Sequence, residues 1–155
     1  TIFNYDEIFG TIINRFVTQA VSGHPLTVYG AGGQTRGYLN IKDTLQCVHI
    51  TEKSPPKSGE LRIFNQNMET FSVNELAELT KEVGNQRNLN VEIKSIPNPR
   101  KEAEEHYYNP SYQGLIDLGV QPNLLTSDVM NKLFSIVEKY KNNIRRDVIF
   151  KGINW

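Results

Sequence analysis

The sequence predicts an α/β layer arrangement. Three observations carry this. Short apolar or alternating runs recur, longer segments with helical apolar spacing lie between them, and glycine or proline stands at most junctions. In order the elements read α-β-β-α-β-α-β-α-α, short strands with flanking helices. The strands are too short and separated to imply one doubly wound sheet.

Residues 8–22 carry Ile12, Ile13, Phe16, Val17, Ala20 and Val21 at helical spacing. Gly23 and the His24-Pro25 pair stop that helix. Residues 26–29 read as a strand and residues 38–41 as another. Asp43 is expected to cap a helix reaching Glu52, with Leu45, Val48 and Cys47 inward. The prolines and glycine of 53–59 (KSPPKSG) mark a loop. The alternation of Leu61, Ile63 and Asn65 predicts a strand over 61–65. Ser72-Val73-Asn74-Glu75 is a capping box, opening a helix whose apolar face holds Leu76, Leu79 and Val83 and which Gly84 ends. Residues 91–96 alternate like a strand and stop at Pro97. Pro110-Ser111 opens a short helix toward Leu118-Gly119. Residues 126–144 form a last amphipathic helix, with Val129, Leu133, Ile136, Val137 and Tyr140 on one side.

The bulk numbers narrow the function. Lys+Arg and Asp+Glu balance at 17 each in 155 residues, so the formal charge is zero. That argues against a broad electrostatic footprint for nucleic acid or an anionic membrane, but leaves room for a local anion pocket. The single cysteine, Cys47, excludes an internal disulfide and sits in the apolar register of a helix, where it packs. No apolar run approaches the roughly 20 residues of a membrane span. A soluble protein is expected. The opening TIFNYDEIFG reads like the interior of a longer protein, so a fragment or processed chain is expected.

Residues 26–43 (LTVYGAGGQTRGYLNIKD) hold the densest chemistry. Gly30, Gly32 and Gly33 let backbone N–H groups approach a ligand, and Arg36 offers a planar fork of donors suited to phosphate. Together they point to a phosphorylated small molecule, although any glycine-rich turn beside an exposed arginine has the same composition. The histidines (His24, His49, His106) lack metal-ligand spacing, and no metal is expected. His24 reads as a turn residue. His106 fits a substrate contact or a structural role equally.

Four motifs then combine: TVYG…GGQTRGYL…D, FNQ…FSVNELA, PNPR-KEAEEHYYN-PS and LGV-QP. Together they resemble the C-terminal half of extended short-chain dehydrogenases that act on nucleotide sugars. Within that group the chain is most similar to the UDP-sulfoquinovose synthase family. The resemblance implies that residues 1–155 are a nucleotide-sugar-binding portion of a protein whose N-terminal Rossmann half binds NAD. It implies UDP-glucose as substrate, sulfite or a sulfite-delivering enzyme as partner, UDP-sulfoquinovose as product, and a homodimer as one open assembly. The compartment would be cytoplasm or chloroplast stroma.

The resemblance also assigns residues. Arg36 and Arg100 would grip the diphosphate, with Tyr107 beside it. The main chain of Thr27, Val28 and Tyr29 would meet the uracil, and Gln34 the sugar or phosphate. Related epimerases carry Asp where this chain has Ala103, so Glu102 becomes the candidate for the ribose hydroxyls. Gln66 would make a turn bond or a ligand contact. Phe3, Tyr5 and Phe9 would edge an active site or stand exposed without the partner half. Gly30–Gly33 joins two strand-like runs instead of opening a helix, so it is not a dinucleotide fingerprint. The chain is expected to hold no Tyr-x-x-x-Lys couple of the kind that abstracts a hydroxyl proton. The chain alone is therefore expected to be inactive. Two alternatives remain: a UDP-hexose epimerase or dehydratase fragment, and a non-catalytic nucleotide-sugar-binding module.

Overall fold

The computed structural model describes residues 3–6, 10–98 and 110–149. The chain divides into two compact units: residues 1–34, 72–105 and 126–155 in the first, and 35–71 with 106–125 in the second.

The first unit is built on α1 (Ile12–Val21), β1 (Leu26–Tyr29), α3 (Val73–Gln86), β4 (Ile93–Ile96), α5 (Ser127–Lys139) and α6 (Arg146–Ile149). Thr11 caps α1 through its side-chain oxygen, and Thr126 caps α5 in the same way. Residues 7–9, the expected first turn of α1, lie outside the described residues. β1 and β4 pair in parallel, Leu26 opposite Ile93 and Tyr29 opposite Ile96. Two four-residue strands cannot stand alone in water, and here α1 and α3 pack on them, with α5 packed against those two helices. Phe16, Val17, Leu26, Leu76, Val83 and Phe134 are all but fully buried in this unit.

Ser72 and Glu75 form the expected capping box at the start of α3. The box holds the Glu75 carboxyl below its ordinary range, chiefly through the Ser72 N–H and then its hydroxyl. Gly84 does not end α3, which runs on to Gln86. Gly84 is a packing notch instead: a Cβ there would stand 2.6 Å from Val91 Cγ2 and 3.4 Å from Phe134 Cζ. Beyond the helix end, the Arg87 guanidinium donates to Glu138, Asn131 and Ser135 of α5. The last long helix stops at Lys139, short of the expected 144, and a 3-10 turn follows over Lys141–Asn143. Its buried residues are Met130, Phe134 and Val137, while Ile136 and Tyr140 are exposed.

The second unit holds β2 (Thr35–Tyr38), α2 (Ile41–Lys53), β3 (Glu69–Ser72) and α4 (Gln113–Asp117), with β2 and β3 paired. Here the structure corrects the sequence reading. Asn40, not Asp43, caps α2, accepting from the Lys42 N–H at 3.0 Å. The strand therefore ends at Tyr38 and the helix begins at Ile41. Asp43 lies inside the helix and is fully buried. Its carboxylate accepts from Gln46 Nε2 at 3.0 Å, from the Asn123 N–H at 2.8 Å and from the Asn123 side-chain amide. Burying that carboxylate rolls the helix, so Cys47 points inward while Leu45 and Val48 stay 66% and 57% exposed. Cys47 packs with Met68, Leu115 and Val120. The strand expected at 61–65 is not formed; Leu61 and Ile63 are 83% and 80% exposed, and β3 follows at 69–72 instead. Among the described residues no helix is long and apolar enough to cross a membrane.

Glu69 accepts from the Leu125 N–H at 2.8 Å. Burial, reinforced by Asp43 and partly offset by that N–H, raises its carboxyl above the ordinary value. The folded state therefore holds the Glu69 proton more tightly than the unfolded one. That contribution to stability is full below the unfolded pKa and is lost as pH rises through the folded pKa. Glu69→Gln keeps an oxygen for Leu125 and removes the ionisation. It is expected to raise the urea midpoint at pH 7 and to flatten stability between the ordinary and raised carboxyl values, measured by urea denaturation across that range.

Candidate functional site

In a parallel sheet, ligands gather beyond the C-terminal strand ends. For β1 and β4 that edge is the turn after Tyr29 and the chain after Ile96. Residues of β1 alternate in role. Val28 is buried and lies opposite Ser95 in the ladder. Thr27 faces the other way, toward α1. Its N–H donates to Gln19 Oε1 at 3.1 Å, its hydroxyl accepts from Gln19 Nε2 at 2.8 Å, and its carbonyl accepts from an Arg15 terminal nitrogen at 3.0 Å. The same guanidinium lies 4.9 Å from the centre of the Tyr29 ring. Of the three strand residues expected at the base, Thr27 thus has its main chain engaged inside the fold. Sequence reasoning passed over Arg15 and Gln19, although two polar residues spaced i, i+4 on an apolar helix face were the available signal.

The glycine turn is held from α3. Gly30 and Gly32 adopt φ of +63° and +73°, the region that favours glycine. The Gly30 N–H closes the ladder onto the Ile96 carbonyl at 2.9 Å. The Val73 N–H donates to the Gln34 carbonyl at 3.2 Å, and the Asn74 N–H to the Gly32 carbonyl at 3.0 Å. Asn74 Nδ2 donates to the Ala31 carbonyl at 2.9 Å. With Ser72 and Glu75 occupied in the capping box, the first amides of α3 are all satisfied within the protein. The turn's carbonyls, not its amides, face α3, and Gly32 has a packing reason to be glycine as well. A Cβ there would come within 2.1 Å of Asn74 Oδ1, so Gly32 is glycine for close packing.

Around the turn, Gln34 and Asn98 come together at Gly30: a Cβ on Gly30 would lie 3.6 Å from Asn98 Cβ and 3.8 Å from Gln34 Nε2. Gln34 Oε1 is buried with no hydrogen-bond partner among the described residues. A buried acceptor left in that state costs about 1–3 kcal/mol. A ligand donor would recover it.

Arg36 lies in the second unit, on β2, exposed, with a guanidinium N–H donated to the Thr35 carbonyl at 2.8 Å. Arg100, Glu102 and Tyr107 lie outside the described residues, as do Ala103, His106 and Phe9. Gln66 is exposed on the loop before β3. Tyr38 and Lys42 do stand four residues apart, contrary to the expectation that no such couple exists. They are no helical pair, because Tyr38 closes β2 and Lys42 lies in the first turn of α2. Burial raises the Tyr38 phenol above its ordinary value, with Arg36 opposing, which is the wrong direction for a proton-abstracting tyrosine. Burial likewise raises the Cys47 thiol, which suits packing and not attack. His24 is held below its ordinary value by burial and by Arg146. No group of three His, Cys, Asp or Glu suited to a metal occurs among the described residues. Phe3 and Tyr5 line a largely apolar cavity of about 280 Å³ with Ile136 and Tyr140, and none of the residues expected to contact the nucleotide sugar is among its lining.

No protein-family model matches the chain. It is 49% identical over 153 residues to the chloroplastic UDP-sulfoquinovose synthase of Spinacia oleracea, covering 99% of this chain and 32% of that protein. It is 43% identical over 157 residues to the UDP-sulfoquinovose synthase of Sulfolobus acidocaldarius, covering 100% of this chain and 40% of that protein. The chain thus spans roughly a third of the length of the curated relatives it matches. In solved structures it is similar to a UDP-glucuronic acid 4-epimerase from Bacillus cereus in complex with UDP-glucuronic acid and NAD. That match has a TM-score of 0.64 at 16% identity and covers 83% of this chain and 40% of the epimerase. The fold is that of the extended short-chain dehydrogenase and epimerase proteins.

Gln19 is fully buried, and its carboxamide is the partner of the Thr27 amide. Gln19→Leu keeps the volume and leaves that N–H unmet. The expected loss is about 1–3 kcal/mol of stability, read from urea denaturation.

Proposed function

We propose that this chain, homologous over its whole length to part of the UDP-sulfoquinovose synthases, is the nucleotide-sugar-binding, C-terminal portion of such an enzyme. In the complete protein it holds UDP-glucose while the sugar loses its 6-hydroxyl as water and sulfite, free or handed over by a partner enzyme, forms the new C–S bond at that carbon. The product is UDP-sulfoquinovose. The relative named chloroplastic supports a plastid as one compartment.

One observation carries the reading beyond the sequence identities. Gly30, Gln34 and Asn98 cluster at the C-terminal edge of the parallel pair, with an unmet acceptor on Gln34. Each arginine assigned to phosphate stands two residues along the chain from a member of that cluster: Arg36 from Gln34, and Arg100 from Asn98. Two residues of chain span at most about 7 Å. A pyrophosphate carries two charges, and guanidinium forks neutralise them with paired hydrogen bonds. Tyr107 adds a hydroxyl donor, and Glu102 an acceptor for ribose hydroxyls. The uracil falls to the end of β1 at Tyr29, with Val28 behind it. Thr27 serves the base by tying β1 to α1.

NAD does not fit the residues described here. The glycine turn joins β1 to β2, and its carbonyls already occupy the first amides of α3, so this turn opens no helix N-terminus to a dinucleotide pyrophosphate. NAD binding belongs to the remaining part of the complete enzyme, and this chain alone transfers no hydride.

Arg36→Ala and Arg100→Ala are each expected to weaken UDP-glucose binding by about 1–3 kcal/mol, the scale of lost charge-assisted bonds. Calorimetry with UDP-glucose and with uridine checks this. The deficit should vanish for uridine, which has no phosphate. Unchanged UDP-glucose affinity in both variants removes the phosphate assignment.

A further inference from the structure

The geometry points to Asn74 as a positioning residue that sets the conformation of the nucleotide-sugar turn without touching the ligand. The inference rests on the binding role proposed above for Gln34 and Arg36. Two of the turn's residues, Gly30 and Gly32, sit at positive φ, where glycine gains freedom and the chain needs external bracing. Asn74 supplies that bracing twice over. Its backbone N–H holds the Gly32 carbonyl and its side-chain Nδ2 holds the Ala31 carbonyl, at 3.0 and 2.9 Å. Its Oδ1 fills the space where any side chain at residue 32 would have to go. The contact joins residues 43 positions apart, so it ties the turn to the start of α3 and not to its own neighbours.

The side chain is exposed, so its truncation removes little buried surface. What it changes is the entropy of the turn. With the Ala31 carbonyl released, and the Gly32 and Gln34 carbonyls still held by backbone N–H groups, the turn loosens around residue 31, and a ligand at Gln34 must offset the added freedom. Asn74 is the second residue of α3, after the Ser72 cap and Val73. An aspartate there suits the helix N-terminus, where negative charge is favoured. Yet it lacks the Nδ2–H and sets a carboxylate against the Ala31 carbonyl. Asn74→Asp therefore separates helix stability from turn geometry.

The test compares the 155-residue chain with its Asn74→Ala and Asn74→Asp variants. Calorimetry gives the UDP-glucose affinity, thermal unfolding the stability, and amide hydrogen exchange the protection of residues 30–34 without ligand. The expected result is about tenfold weaker binding in both variants, the scale of one net hydrogen bond. Exchange at residues 30–34 should be faster, and the thermal midpoint of Asn74→Asp should equal or exceed that of the parent. Affinity that follows the thermal midpoint across the variants overturns the inference, as does unchanged affinity. A parent chain that fails to bind UDP-glucose overturns the binding reading itself and this role with it, whereas a binding parent matched by both variants overturns this role alone.

Discussion

The donors at the start of α3 are the constraint on which the first unit depends. A helix opens with amides that its own turns cannot satisfy. Here Ser72 and Glu75 close two of them reciprocally, and Val73 and Asn74 direct theirs into the carbonyls of the glycine turn. The same turn is continuous with β1, whose ladder to β4 ends at the Gly30 N–H. One helix end thus terminates a sheet, shapes a loop and satisfies its own backbone. That arrangement also decides what the turn is not. A phosphate needs amides that point outward and are unoccupied, and these four are engaged. The start of α3 is therefore closed to an anion, and the proposal rests the phosphate on side chains.

The outer edge of β1 follows the same logic with different donors. A two-stranded parallel pair leaves each strand with an unpaired side, and buried backbone groups there must find partners. Gln19 and Arg15 provide them from α1, a helix otherwise packed through Phe16, Val17 and Ala20. The cost is a carboxamide and a guanidinium in a nearly dry position. The carboxamide is satisfied by the strand itself and the guanidinium donates to it, so the polar pair substitutes for the neighbouring strand that a larger sheet would supply. Such a substitution fixes register as well: the two Gln19 bonds meet Thr27 only when residue 27 faces α1.

Elements with strong local signals were legible in the sequence. The Ser72 box, the β1 run, the α1 stripe and the Cys47 burial all follow from spacing or capping chemistry that acts within a few residues. The overall order of helices and strands was legible for the same reason, although its third strand stands at 69–72 and not 61–65. Leu61 and Ile63 alternate as a strand should, but alternation states only that one face differs from the other, and no partner strand takes that face. α2 was misread because its decisive residue is polar. An aspartate near a helix start is read as a cap; here Asn40 takes that role and Asp43 is drawn inward by Asn123, eighty positions away. A bond of that range leaves no local trace, and once it is made, the aliphatic residues beside it must turn outward. Asn74 was silent on similar grounds, since Ala31 lies 43 positions away in sequence. The spacing of Tyr38 and Lys42 shows the reverse case, a pattern present in the sequence that the backbone, turning from strand to helix between them, deprives of meaning.

A formally neutral chain and a strongly anionic ligand are compatible only if recognition is local. Under the proposed function, two guanidinium groups would suffice for a diphosphate, whereas steering from a distance needs a field that the whole molecule sums. With 17 cationic and 17 anionic side chains that sum is close to zero. If the proposed function holds, the binding free energy resides in short-range geometry: the fork of each arginine, and the Gln34 oxygen left unmet among the described residues. Geometry of this kind tolerates little looseness, because a bidentate bond weakens once its donors leave the plane of the acceptor. A loop rich in glycine is the least rigid backbone on which to mount it. The long-range tether from Asn74 resolves that conflict, giving the turn the close approach that glycine allows while denying it the freedom that glycine brings.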